Sequence, residues 1–503
     1  SLSLSMQLID AWTHLNHGLT VFESVWRPQP FRLAVASSSS PSWQHPLHQK
    51  AADLDDATFR DINSSNEVLR DWVTDCLSDL ATDNNDDTYD ENGNTYQLQS
   101  EAFQSMLDVL QEFPTPNTSQ QANEKTTYSG RTQPREANGI PGRKWEQVEA
   151  FTKLVPKGNN NQYPIIDWCS GKGHLARWMH HSSNANESSC GCGCRGRPVH
   201  CLEIDSKLCR AGERLTKKQT TIPTNNGVMF YEHDVLNDAL PSTLQGENFT
   251  YTALHACGEL HRTALRVAVQ NRVRDVVIAP CCYEKHFGRH DTADNDNDGL
   301  LFQPLSTVVK DRTSLSIHRE DLFLAVADGV VTSNAKEANV REKEQAWRLA
   351  FELWRRDQEV SHSQSSSEQH LAVPSAPYRI LADDNFPLFV HHCITSKGRN
   401  SVERSSLQPA FTAALLNNAK KSSTTRLADN HHHLDEYAVK GEALQRLVER
   451  QELIRRAFQR SFELWLTMDC GLFLEESGYT VELQQLCDRS ITPRNVVIVA
   501  HHL

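Results

Sequence analysis

The chain has 503 residues, 38% of them hydrophobic and 23% charged, with a formal net charge of −13. At roughly 150 residues per domain this is about three domains' worth of chain, enough to bury a core without disulfide or metal staples. No apolar run approaches the roughly 18 residues that a bilayer span needs. The acidic balance argues against strong non-specific binding to nucleic acid and leaves room for a local basic groove.

The stretch Ser1 to Trp12 has no cationic start and carries Asp10 inside its apolar part, which does not match a secretory signal. Thirteen cysteines, an odd number on a long chain, read as reduced thiols of a cytoplasmic protein with no disulfide-linked partner. Residues 1–80 form an N-terminal accessory region in which Trp12, Phe22, Trp26, Phe31 and Trp43 suggest packed structure. The two prolines of Trp26-Arg27-Pro28-Gln29-Pro30-Phe31 argue against helix there. Val68, Leu69, Trp72, Val73, Cys76 and Leu80 recur at helical spacing from Asn66 to Leu80. Residues 81–142 are mostly linker with a helix over Gln97 to Phe113. Thr82 to Asn94 is too polar to bury a core.

Residues 143–289 change character. A short helix, Trp145 to Leu154, precedes apolar strands at Pro164 to Cys169, Val199 to Ile204, Val228 to Glu232, Tyr251 to His255 and Val276 to Ala279. Helical segments from Leu175 to His181, Ser206 to Lys218 and Leu260 to Gln270 lie among them. Strands alternating with helices predict parallel β-α-β units and a doubly wound α/β sheet. Residues 290–456 read as a helical insertion with polar loops. It holds an amphipathic helix over Glu337 to Val360 that carries Val340, Trp347, Phe351 and Trp354 on one face. It also holds polar linkers at Ser361 to Gln369 and at Lys420 to His433, the second with the His431-His432-His433 run. Leu444 to Asp469 predicts one or two further helices. Residues 457–503 end in strands at Tyr479 to Leu486 and Asn495 to Ala500.

The chemistry concentrates in Asp167-Trp168-Cys169-Ser170-Gly171-Lys172-Gly173-His174, which joins a buried strand to a helix. Glycines there permit unusual dihedrals and close ligand approach, and the helix start offers free N–H groups. Gly171-Lys172-Gly173-His174-Leu175-Ala176 fits the G-x-G-x-x-A dinucleotide pattern. Asp167-x-Cys169-x-Gly171-x-Gly173 fits the acid-x-G-x-G-x-G loop of adenosylmethionine-dependent methyltransferases, with Cys in the first Gly position. The acid favours the second reading, because it would hold a cationic amino group and repel a pyrophosphate. Glu203, with Asp205 as the alternate, ends the second strand where a carboxylate accepts from ribose hydroxyls. Asp234 ends the third, to accept from the adenine amino group, while Val235 offers its N–H to a ring nitrogen. Taken singly, each acid also reads as a helix N-cap. The expected cofactor set is Asp167, Ser170, Gly171, Lys172, Gly173, His174, Glu203, Asp205, Asp234 and Val235.

Asp167 to Leu175, Leu254-His255-Ala256-Cys257-Gly258-Glu259-Leu260-His261 and Ala279-Pro280-Cys281-Cys282-Tyr283 resemble the signatures of a bacterial family of adenosylmethionine-dependent methyltransferases. That family is similar to the methyltransferase domain of glutathione S-transferase C-terminal-domain-containing proteins. It is more distantly similar to tRNA 2′-O-methyltransferases. The resemblance also covers Trp26 to Phe31 and resumes from Phe462 to Leu466 through Thr492-Pro493-Arg494-Asn495. It implies a Rossmann-like methyltransferase sheet that ends in an antiparallel strand pair, with the insertion after the fifth strand. S-adenosyl-L-methionine is the implied cofactor.

The candidate catalytic residues are His255 and Cys257 beside the sulfonium and Cys281, Cys282 and Tyr283 on the substrate side. Lys285 lies close by in sequence. Tyr283 could stack on a base. Cys281 or Cys282 could attack a pyrimidine ring, although cysteine is often only a small buried hydrophobe. No metal ligands are assigned, and the Cys190-Gly191-Cys192-Gly193-Cys194 run fits zinc spacing poorly. RNA is the preferred acceptor class, by analogy with the tRNA enzymes. A protein or small-molecule acceptor is the enzyme-class rival, a non-catalytic cofactor-binding scaffold is a second alternative, and a nicotinamide oxidoreductase is a third.

Overall fold

The computed structural model describes residues 2–36, 45–82, 95–114, 140, 142–156, 163–185, 197–219, 227–285, 301–326, 335–361, 376–382, 385–397, 405, 407–409, 412, 432–489 and 491–503. The polar stretches at 83–94, 115–139, 286–300, 362–375 and 413–431 and the Cys190–Cys194 run lie outside them. The chain divides into two compact units. One comprises Ser1–Val21, Gln99–Asp328 and Phe458–Leu503, and the other Phe22–Leu98 and Gly329–Ala457.

The first unit is built on a seven-stranded sheet of order β3-β2-β1-β4-β5-β7-β6. Its strands are β1 Ile165–Trp168, β2 Val199–Glu203, β3 Val228–Glu232, β4 Thr250–Cys257, β5 Asp275–Cys281, β6 Tyr479–Gln485 and β7 Val496–His502. Strands β1 to β5 pair in parallel, and β7 runs antiparallel to both β5 and β6. This is the Rossmann-like methyltransferase topology with its terminal antiparallel pair. The strand order reverses between β1 and β4. In a doubly wound sheet the ligand crevice opens there, beyond the strands' carboxyl ends.

All residues of β1 and β5 are buried, as expected where helices cover both faces of a parallel sheet. Ile165, Val199, Cys201, Val277, Ala279, Val497 and Val499 share one core cluster with Val148 and Phe151 of the helix Gly142–Leu154 and with Leu175 and Met179 of the helix His174–Ala185. Trp145 and Trp178 meet edge to face at 4.5 Å between these two helices. Alternate strand residues point to the other face, where Trp168 stacks on Tyr251.

Two further pieces complete this unit. The helix Leu2–Val21 sets Trp12 against Trp465, whose indole N–H donates to Asn16. The segment 301–326 is held by carboxylates near the end of the 45-residue helix His432–Glu476. Asp469 accepts from the amides of Leu305 and Ser306, and Glu476 from those of Thr307 and Val308. Part of the stretch expected as insertion after β5 therefore belongs with the sheet.

The second unit is helical. Trp347, Phe351 and Trp354 of the helix Ala335–Ser361 pack with Phe386, Phe389 and Cys393 of the helix Phe386–Thr395 and with Leu434 and Tyr437. Arg355 pairs with Glu352 at 2.5 Å, both fully buried.

Two local expectations need correction. Trp26 to Phe31 is not wholly non-helical. The break falls at Arg27 to Gln29, and Pro30 opens the helix Pro30–Ala36, because the first helical turn needs no proline N–H. His432 and His433 begin a helix where a polar linker was expected.

Candidate active site

The turn after β1 carries three left-handed residues, Cys169 (φ 56°), Gly171 (φ 60°) and Gly173 (φ 65°). The alternation folds Cys169 to Gly173 back over the end of β1. The Ser170 N–H donates to the Leu202 carbonyl of β2 at 3.0 Å. Arg177 braces the turn from within, donating to the Lys172 carbonyl at 2.6 Å and to His174 Nδ1 at 2.8 Å. His174 is lowered to about 4 by burial and then by Arg177, so it stays neutral and free to accept that bond.

A side chain at Gly171 would meet nothing within 4 Å, whereas one at Gly173 would strike the Phe230 ring at 2.5 Å. The two glycines therefore serve different ends. Gly173 is required by packing beneath the turn, and Gly171 faces open space above it. Lys172 is exposed beside it.

Asp167 is only 2% exposed, and its Oδ2 has no hydrogen-bond partner. Burial raises its pKa to about 7, Lys144 and an amide bond from Ala176 oppose the rise, and Glu203 adds to it. A carboxylate left half-satisfied at the point where the sheet divides is a place for a cation. Glu203 ends β2 beside the turn. Its Oε2 accepts from the Gly171 N–H at 2.9 Å and its Oε1 from the Asp205 N–H at 3.0 Å. Asp205 instead accepts from the Lys207 amide at 2.7 Å and caps the helix Ser206–Gln219.

Asp234 turns its carboxylate onto the Leu236 amide and the Asn237 side chain. Those bonds hold its pKa below the usual carboxylate range. Val235 is buried beside it. Two apolar side chains that the sequence reading did not single out stand exposed at these strand ends, Ile204 at 61% and Leu236 at 45%. Ile204 directly follows Glu203, and Leu236 lies two residues after Asp234, a signal the sequence contains.

The ends of β4 and β5 hold the candidate catalytic groups. His255 has φ 69°, and the β4–β5 register shifts between Leu254 and Cys257. Its Nε2 lies 2.6 Å from Gln147 Oε1. A carbonyl oxygen only accepts, so Nε2 carries the hydrogen and Nδ1 keeps its lone pair. Burial, then Lys144 and Arg494, lower its pKa, which keeps the ring neutral. Gln147 and Lys144 lie on the Gly142–Leu154 helix and were not picked out as site residues from sequence.

The Sγ atoms of Cys257 and Cys281 are 3.5 Å apart, and Arg494 reaches Cys282 Sγ at 3.8 Å. Hydrogen bonds from Cys257 and Cys281, then Arg494, hold the Cys282 thiol well below its usual range, while hydrogen bonds with Cys257 and Cys282, then burial, push Cys281 far up. Arg494 lies in the Thr492-Pro493-Arg494-Asn495 stretch quoted above for its resemblance, which is the signal that could have placed it here.

Tyr283 departs from expectation. It is 1% exposed, its hydroxyl meets Thr467 at 2.7 Å, and its ring packs edge-on to His261. It packs under the site and has no face open for stacking on a base. Cys281 is likewise only 2% exposed, so an attack on a pyrimidine would require it to be uncovered.

An α/β sheet of this order, with a left-handed turn after β1 and acids at the tips of β2 and β3, defines the class of nucleoside-cofactor methyltransferases. Residues 143–286 match the family described as "Methyltransferase domain". These residues are an adenosylmethionine-dependent methyltransferase domain. No curated protein matches the chain. Solved structures similar to it include magnesium protoporphyrin IX methyltransferase from Synechocystis PCC 6803 with bound SAH, at 17% identity over 30% of this chain and 62% of that one, TM-score 0.21. Another is 23S rRNA methyltransferase ErmE, at 10% identity over 61% of this chain and 97% of that one, TM-score 0.20. The chain thus spans less than two thirds of the first of these. At such scores the fold reading rests on the strand order and the family match.

Proposed function

We propose that the chain transfers the methyl group of adenosylmethionine to an acceptor held over the carboxyl ends of β4 and β5. One observation carries this reading. The left-handed turn Cys169 to Gly173 and the Glu203 carboxylate are joined at the sheet's switch point, over a buried Asp167 oxygen that lacks a partner.

Asp167 would hold the amino group of the methionine moiety, directly or through water. The open side of Gly171, with Ser170, Lys172 and His174 around it, admits the cofactor's backbone. Glu203 grips the ribose, and Asp205 stays with its helix cap. Adenine lies by Asp234 and the Val235 amide, with Ile204 and Leu236 offering apolar contact. When bound, the cofactor supplies an already electrophilic methyl group, so the chain's task is to orient the acceptor in line. His255, neutral with Nδ1 unprotonated, can take a proton from an acceptor that carries one. Cys257, Cys281 and Cys282 line the acceptor side.

RNA is the acceptor class we favour, supported by the resemblance to the tRNA 2′-O-methyltransferases. The net charge of −13 favours instead a protein or small molecule. Calorimetry against adenosylmethionine and NAD tests the cofactor. Transfer of labelled methyl into RNA, protein and metabolite fractions of extract lacking the protein tests the acceptor. Label confined to RNA supports the favoured class, and label in protein or metabolites replaces it. Tight cofactor binding with no transfer into any fraction would mean a scaffold.

A further inference from the structure

The three thiols at the acceptor side form one cluster. Cys257, Cys281 and Cys282 place their Sγ atoms all within 4.8 Å of one another, with Cys257 and Cys281 at 3.5 Å. They come from two strand ends that the backbone distorts to bring together. His255 and Cys282 both have positive φ, at 69° and 50°, a conformation that strains a residue other than glycine. Gly258, at φ 58°, would place a Cβ 2.3 Å from the Lys285 carbonyl, so only glycine lets the two exits approach so closely. Its N–H closes the approach by donating to the Cys281 carbonyl at 3.0 Å.

We propose that Cys257, Cys281 and Cys282 bind one zinc ion. Zinc–thiolate bonds are about 2.3 Å long, which at a tetrahedral angle sets sulfurs about 3.8 Å apart. The observed spacing brackets that value. Soft thiolate ligands select zinc over calcium or magnesium. Three thiolates around a dication leave one net negative charge, and the Arg494 guanidinium at 3.8 Å from Cys282 Sγ offsets it. Among the described residues the group has three members, so one tetrahedral position is left for a further ligand, as in zinc sites that take an exogenous group. The proposal rests on these positions alone and does not depend on the methyl acceptor.

The test uses the full chain purified without chelator. About one zinc per chain is expected by elemental mass spectrometry. Cobalt added to zinc-stripped protein should give thiolate-to-cobalt charge-transfer absorption that saturates at one equivalent. Cys257→Ser and Cys282→Ser should each lose both signals, while Cys393→Ser, in the helical unit, keeps them. Protein with no stoichiometric metal and no charge-transfer band would overturn the site. So would a metal content unchanged in both serine variants, or a Cys257–Cys281 disulfide in protein never exposed to oxidant. If stripped protein fails to fold, the zinc content of the native protein still decides. Adenosylmethionine calorimetry on the same samples reports the cofactor site separately, so failure of one reading is not failure of the other.

Discussion

The Gly171 N–H donates to Glu203 Oε2 at 2.9 Å, and the other oxygen of that carboxylate accepts from the Asp205 N–H at 3.0 Å. One side chain thus ties the turn after β1 to the tip of β2 and also stands where a ribose would be gripped. Glu203→Ala should leave both amides without this partner, cost about 1–2 kcal/mol of stability and lower adenosylmethionine affinity at least about tenfold. Glu203→Gln can satisfy only one of the two donors and should fall between. Thermal melts with calorimetry on both variants check the order, and wild-type affinity in Glu203→Ala would remove the ribose role.

The two glycines of the turn should respond differently. Gly171→Ala meets no atom within 4 Å, so its structural cost is the left-handed strain of about 1–2 kcal/mol. Gly171→Arg should keep the fold and abolish cofactor binding by filling the open side. Gly173→Ala must displace the Phe230 ring and should lose more stability than Gly171→Ala. Melting temperature and calorimetric affinity, measured together, separate the two effects.

The Asp167 pKa, raised to about 7 by burial, gives a pH dependence of known sign. The folded chain binds this proton more tightly than the unfolded chain, whose Asp titrates near 3.8. The contribution is therefore full below about pH 4 and lost as pH rises through 7, up to about 4 kcal/mol. Asp167→Asn should remove that slope and melt higher than wild type at pH 8. Adenosylmethionine affinity should run the other way, rising in the wild type as the carboxylate ionises between pH 6 and 8. In the variant it should be weak and flat.

The strands were legible because short aliphatic runs alternate with amphipathic helices, and the observed β1 to β5 lie within a residue or two of the expected spans. Strands β6 and β7 were legible as apolar runs, but their antiparallel place in the sheet only through resemblance, since about 200 residues separate them from β5. The role of Tyr283 was not legible. Its neighbour Thr467 is 184 positions away, and nothing local says which side of the strand end the ring takes. Gln147 escaped for the same reason, since its partner His255 is 108 positions distant. Asp234 and Asp205 show the opposite case. Their local turn and cap bonds follow from spacing alone, and the plain N-cap reading describes Asp205 well.

Cys169 occupies the first glycine position of the acid-x-G-x-G-x-G pattern, and the structure gives it the dihedral that glycine prefers. Cys169→Gly relieves left-handed strain and raises unfolded-chain entropy, two terms of about 1 kcal/mol and opposite sign, so stability should change little. Cys169→Val adds a β-branched side chain at positive φ and should destabilise by more than about 2 kcal/mol. Denaturant melts of the pair check this. Equal losses in both would mean that the thiol, and not the dihedral, matters at this position.

Gln147 fixes which nitrogen of His255 bears the hydrogen. Gln147→Leu removes the 2.6 Å partner of Nε2, leaves a buried donor unpaired at a cost of about 1–3 kcal/mol, and frees the ring to adopt the other tautomer. Gln147→Glu should do something different. A carboxylate at that distance stabilises the imidazolium and raises the His255 pKa from its lowered value. At saturating adenosylmethionine, methyl transfer by the wild type should be flat from pH 7 upward, because His255 is already neutral there. In Gln147→Glu the rate at pH 7 should fall, on the order of tenfold, and recover as pH rises and the ring loses its proton. A structural role alone would lower the rate at every pH by the same factor. The pH profile of the glutamate variant therefore distinguishes a positioned base from a buried spacer, and cofactor affinity measured alongside should stay near wild type in both variants.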